Sequence, residues 1–250
     1  MSNSADTKNA ALVSPSDSRS FSIAVGISGL SSAILFVVVS LIVAFGVGPD
    51  PTELIAWLER FPDIFPFRVA ENGLYLIVLM LWLGMFLSLG EIARESHPVL
   101  GKLGSGFALA GVSILIAGSL PHIGTFPISN IYEDLELAGA ITSGTVDPRL
   151  NIASLTYMWQ SQWGVFDALL FAGIAPLGVG IFFIGISAYS AIGRGYGSLL
   201  IATGVLSLAG SAGAIIDPQG LFVAASILSI VLLSFISGIR FLRRGARANP

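Results

Sequence analysis

Asp167 has the most chemistry to offer in this chain. It stands inside a long apolar stretch, seven residues beyond Gln160. An aspartate near the centre of a bilayer costs about 2.5–3.5 kcal/mol on insertion scales. A chain that keeps one there needs it for a ligand, ion or proton site, or as polar glue between helices. Gln160, Gly164 and Asp167 are spaced i, i+4, i+7, which puts them on one face of a helix. Glu71 and Asn72 stand near the start of a second apolar stretch, His122 at the end of a third, and Asp217 between the last two. If the stretches are antiparallel helices, Glu71, Asn72, His122, Gln160, Asp167 and Asp217 collect at one end. They are the candidate ligand or proton site. Asp167 is expected to be buried in the bundle, facing a polar partner on a neighbouring helix or a water-filled pocket. At the other end Glu91, Arg94 and Glu95 read as a solvated helix terminus.

Enzyme chemistry fares worse, and no catalytic residue is assigned. The chain has no cysteine, which excludes thiolate nucleophiles, Cys-ligated zinc and iron–sulfur clusters. The two histidines, His97 and His122, fall at opposite ends of an apolar stretch, so they cannot share a haem or metal. Gly26-Ile27-Ser28-Gly29 has the form of an intramembrane serine-protease motif, but Ser28 and His122 fall on opposite sides, far beyond the ~3 Å a serine and its base require. There is no P-loop, H-E-x-x-H or dinucleotide fingerprint. Gly193-Arg194-Gly195-Tyr196-Gly197 reads as a tight turn rather than a phosphate nest. No cofactor and no metal are expected. Nor is nucleic-acid binding, because no basic stripe with interleaved aromatics is present.

The elements that position these residues are six apolar stretches, approximately Phe21–Val47, Val69–Leu89, Leu103–Pro121, Gln160–Tyr189, Ser198–Ile216 and Leu221–Ile239. Each is near the roughly 20 residues a helix needs to cross a hydrocarbon core of about 30 Å. Charged residues are 11% of the chain and mean hydropathy is +0.85; soluble domains carry about 25% charge. The expected fold is all-α: an integral membrane bundle of six transmembrane helices, with a short amphipathic helix and a long capping loop on the outer side. Residues 1–20 read as a disordered polar tail, 21–241 as one transmembrane domain and 242–250 as a basic tail. The first stretch exceeds the 7–15 residues of a signal h-region, so it reads as an uncleaved crossing.

Lys and Arg mark the cytoplasmic side. The N-terminus, second loop, fourth loop and C-terminus hold nine of the twelve; Arg60, Arg68 and Arg149 fall opposite. Both termini are therefore expected in the cytoplasm, and the cell membrane is the expected location.

The first outer loop begins Asp50-Pro51-Thr52-Glu53, a capping box with proline at the first helical position. Leu54, Trp57, Leu58 and Phe61 then repeat at helical spacing. They predict an amphipathic helix ended before Pro62, lying on the membrane surface or capping the bundle. In the third loop Asn130 and Glu133 form a second capping-box signal, predicting a short helix near Ile131–Ile141. Asp147-Pro148 marks a further turn or helix start, and Tyr157, Trp159 and Trp163 suggest an interfacial aromatic belt.

Lipid gives helices no hydrophobic reason to associate, so small residues that allow close approach matter. Gly29/Ala33, Gly106/Ala110, Ala209/Gly213, Gly210/Ala214 and Ala225/Ser229 are such pairs. Pro176 is expected to kink the fourth crossing. The stretch Gly173–Gly210, with its Gly193–Gly197 turn followed by Leu199-Leu200-Ile201-Ala202-Thr203-Gly204, resembles a family of prokaryotic six-helix multi-pass membrane proteins defined by a domain of unknown function. It departs from that pattern, which favours proline in the turn, at Gly195-Tyr196. The resemblance implies a layout and transfers no site residue. Two function classes remain: a small transporter or ligand-binding membrane protein using an outward polar pocket, and a non-catalytic partner or assembly subunit. The partners expected are the lipid bilayer and a membrane protein or second copy of the chain.

Overall fold

A computed structural model describes residues 15–48, 54–137, 148–216 and 220–247. The described residues are helical throughout apart from short turns, with no strand among them. Seven helices follow in order: α1 (Pro15–Ile42, closed by a π-helical turn Val43–Val47), α2 (Leu54–Arg94), α3 (Pro98–Ile123), α4 (Thr125–Leu137), α5 (Pro148–Ala191), α6 (Arg194–Ala214) and α7 (Leu221–Arg247). All but α4 are long and apolar enough to cross a membrane. These six form a ring in which α1, α2, α3, α5, α6 and α7 each pack on the next and α7 returns to α1, while α2 also touches α5 across the middle.

The turns at 95–97 and 192–193 and both ends of the described chain lie at one end of the ring, the terminus end. Arg240 of α7 reaches the Ile192 carbonyl there, and Gly245 of α7 packs on Ile23 of α1. The opposite, cap end carries α4 and the overhangs of two helices. At 1.5 Å per residue the 21 residues of α6 span about 32 Å, one hydrocarbon core, whereas α2 and α5, with 41 and 44 residues, reach about 62 and 66 Å. Register locates the excess. Ser211 Oγ donates to the Phe171 carbonyl at 3.0 Å, so α6 ends about one turn beyond Phe171 and the earlier part of α5 projects past it.

The overhangs pack with α4 into a second small core. Phe61, Ile128, Tyr132, Leu155 and Trp159 are buried there. Phe61 lies edge-on to Trp159 with ring centroids 5.3 Å apart, and 5.4 Å from Phe126.

This cap corrects several sequence expectations. No separate amphipathic helix ends before Pro62: α2 runs unbroken through Pro62 and Pro66. Each proline removes one helical hydrogen bond, but burial of Phe61 and Ile64 holds the helix across them. Asp50 to Glu53, with their capping box, lie outside the described residues. In α4 the helix begins at Thr125, so Asn130 stands inside it rather than capping it. Pro148 does begin α5. Trp159 is buried in the cap instead of joining an interfacial belt, while Tyr157 is exposed.

Glycines let α3 and α5 approach closely, as they do α5 with α6 and α1 with α7. A Cβ on Gly180 would stand 2.5 Å from the Ala108 nitrogen and 2.7 Å from the Gly104 carbonyl oxygen, and one on Gly104 would stand 3.0 Å from the Gly180 oxygen. The pair expected on α3, Gly106/Ala110, faces outward; a Cβ on Gly106 would meet nothing within 4 Å. The spacing was right and the rotational phase wrong by two residues, about 200° on a helix. Gly29 does meet α7, at Ser234 and Gly238, and Gly210 meets Ser226. Pro176 lies within a continuous α5. Polar links between helices include Ser187 Oγ, which donates to the Ala93 carbonyl at 2.6 Å, and the Tyr196 and Ser237 hydroxyls, which lie 2.5 Å apart.

Candidate functional site

A cavity of about 410 Å³ lies at the cap end between α1, α2, α5 and α7. Its polar edge is one face of α2. Arg68, Glu71, Asn72 and Tyr75 are spaced i, i+3, i+4, i+7, and all four line it. The apolar remainder includes Phe36, Val39, Trp163, Phe166, Leu170 and Ile227.

The α2 edge is internally ordered. Arg68 Nη1 donates to Glu71 Oε2 at 2.9 Å, with side-chain exposures of only 6% and 15%. A buried ion pair is costly to assemble and costlier to break. Asn72 Nδ2 donates to the Arg68 carbonyl at 2.8 Å. That carbonyl would otherwise bond the residue 72 amide alone, so the side chain adds a second donor and leaves Asn72 Oδ1 free to accept. One turn deeper, Tyr75 lines the cavity and its hydroxyl makes no hydrogen bond with a described residue. Tyr75 is half-buried, so its hydroxyl is open to the cavity and can donate and accept there.

The facing wall comes from the end of α1, where Val43 and Ala44 belong to the π-helical turn. Such turns are rare and recur at functional sites because they displace the helix face locally. The turn is tied to α2: Arg60 Nη2 donates to the Val47 carbonyl. Gly48 follows at φ 72°, a left-handed conformation that glycine adopts without steric cost. Ser40 and Ala44 are exposed on the outside of α1, so the cavity opens sideways between helices.

Of the six residues singled out from sequence, the structure brings Glu71 and Asn72 together in this cavity. Asp167 follows Phe166 on α5 but is not part of the lining; it is half-buried and makes no hydrogen bond or ion pair with a described residue. The register of α5 on α6 explains its tolerance. Asp167 lies one turn beyond Phe171, level with the end of α6, and so near the edge of the apolar layer rather than deep within it. Gln160 and Gly164 are exposed on the same overhang. The side chain of His122, and Asp217 entirely, lie outside the described residues. Arg68 and Tyr75 were missed. The signal was available as the 68, 71, 72, 75 spacing, but it requires α2 to extend back past Val69. Among the described residues no group of three or more His, Asp or Glu side chains is placed to hold a metal ion.

The arrangement can hold a molecule that is mostly apolar with one polar end. Its aromatic and aliphatic walls accept the apolar body. The Asn72 amide, the Tyr75 hydroxyl and the Arg68–Glu71 pair offer both donors and acceptors at one edge. No family model, curated protein or solved structure matches this chain.

Proposed function

We propose that this chain is a multi-pass membrane protein that binds a small amphiphile in the cap-end cavity, its polar group against Asn72 and Tyr75. The observation that carries the reading is the Tyr75 hydroxyl, which lines the cavity without a hydrogen-bond partner among the described residues. A ligand hydroxyl, carbonyl or carboxylate would satisfy it. The paired charges of Arg68 and Glu71 leave the edge nearly neutral, which suits a polar head better than a highly charged one. Binding is preferred over the assembly-subunit alternative because the polar edge and the apolar walls come from a single chain.

Native mass spectrometry of the protein released from membranes tests this. Wild type should retain an amphiphile as a discrete mass adduct. Tyr75→Phe should lower its retention about tenfold, the worth of one hydrogen bond of ~1.4 kcal/mol. Ala44→Trp, which places a ring at the mouth, should abolish it. Equal adducts on all three proteins would contradict the site.

The cap end is proposed to face away from the cytoplasm, with both termini inside. Support comes from the nine basic residues on the terminus side against three on the other. The absence of native cysteine makes single-cysteine labelling clean. In Lys8→Cys, Ala140→Cys and Ala246→Cys, an impermeant thiol reagent applied to intact cells should label position 140 alone. Labelling at 8 or 246, with 140 silent, would invert the topology.

A further inference from the structure

We propose that a second site, at the terminus end of α7, binds the phosphate headgroup of an anionic phospholipid and lays an acyl chain along the α1–α7 seam. A cavity of about 470 Å³ there is lined by Phe235, Ile236, Ile239, Arg240, Arg243 and Arg244. Three guanidinium groups line it and no carboxylate does.

Two of the three arginines are held in place. Arg240 and Arg244 each donate from Nη2 to the Ile192 carbonyl at 3.1 Å, capping the end of α5. Arg240 also lies over the Tyr196 ring at 5.2 Å, and Arg244 over Phe241 at 5.6 Å. Two like charges thus converge on one carbonyl, and an anion beside them would relieve the repulsion. Arg240 Nε is buried and has no hydrogen-bond partner among the described residues. Arg243 is exposed and makes no hydrogen bond or ion pair with a described residue. Arg243 is thus the guanidinium left open to phosphate oxygens, which such a group binds in pairs of hydrogen bonds.

The lipid, rather than free phosphate, is indicated by what adjoins. A groove of about 570 Å³ between α1 and α7 is lined only by apolar side chains, among them Ile34, Val38, Leu228 and Leu232. Phe235 lines both cavities. The headgroup site and the groove therefore meet at one ring, with the arginines at the end of the apolar span and the groove running into it. Basic pockets at the ends of transmembrane helices are where anionic headgroups bind.

The test is a titration of the full chain in detergent, read by native mass spectrometry, with phosphatidylglycerol and phosphatidylcholine as probes. Phosphatidylglycerol should bind in preference. Arg243→Gln, which breaks no contact within the described chain, should weaken it about fivefold, the effect of one basic residue near a membrane surface. Leu232→Trp, which fills the groove and leaves the arginines intact, should weaken both lipids. Equal affinity for the two lipids, or an unchanged affinity in Arg243→Gln, would overturn the proposal. So would displacement of phosphatidylglycerol by millimolar inorganic phosphate, which would mark a simple anion site without an acyl component.

Discussion

Glu71→Leu should destabilise the protein by about 3–5 kcal/mol, the cost of removing one member of a buried ion pair. The pair lies almost entirely out of solvent, with 6% of Arg68 and 15% of Glu71 exposed. Without Glu71 the guanidinium would stay on a wall that is otherwise largely apolar and would lose its 2.9 Å acceptor. The double variant Arg68→Leu/Glu71→Leu should recover much of the loss, because it removes both charges and leaves two side chains suited to the site. Thermal unfolding in detergent of the wild type, both single variants and the double variant closes the cycle. A double variant as unstable as the sum of the singles would mean that the two groups act separately.

The second large effect belongs to the α3–α5 contact. Gly180→Leu should cost about 3 kcal/mol, the upper part of the range for overpacking. The upper part applies because the atoms in the way, the Ala108 nitrogen at 2.5 Å and the Gly104 oxygen at 2.7 Å, are backbone and cannot rotate aside. Gly106→Leu, on the outward face of α3 with open space around it, should leave the unfolding midpoint unchanged. The comparison separates helix packing from the general effect of replacing glycine in a helix. Equal losses at 180 and 106 would show that conformational preference, and not the interhelical contact, sets the cost.

The contrast between those two glycines also shows how far the sequence could be read. The six crossings were legible because bilayer thickness demands about 20 apolar residues and few charges, and that signal is strong in every stretch. The rotation of each helix was not legible. Helices apolar on all faces leave little to distinguish lipid from neighbour, so Gly106/Ala110 and Gly104/Ala108 are indistinguishable by spacing. The ends of α2 and α5 were misjudged for a different reason. Pro62 and Pro66 are strong breakers locally, and only the tertiary burial of Phe61 against Phe126 and Trp159 overrides them.

That one misjudged boundary reshaped the site. With the second crossing begun at Val69, Arg68 fell into a loop, and the Arg68, Glu71, Asn72, Tyr75 face could not be assembled. Glu71 and Asn72 were found because polar residues at the edge of an apolar stretch stand out singly. Tyr75 did not, since a tyrosine in an apolar helix is ordinary packing until its hydroxyl is seen to line a cavity without a partner among the described residues. Asp167 drew attention for its assumed depth. In the structure α5 projects past α6, and Asp167 stands half-buried, level with the end of α6.

The central claim is that the cap-end cavity holds an amphiphile through Tyr75 and Asn72. It is tested most directly by an experimental density map of the protein prepared from membranes in a mild detergent. The account predicts density between α1, α2, α5 and α7 that is not protein, with one end within 3.2 Å of the Tyr75 hydroxyl, about the limit of a normal hydrogen bond, and an elongated body against Phe36, Trp163 and Phe166. A map in which α1 closes onto α5 and these side chains fill the space, with the Tyr75 hydroxyl bonded to the protein itself, would contradict it.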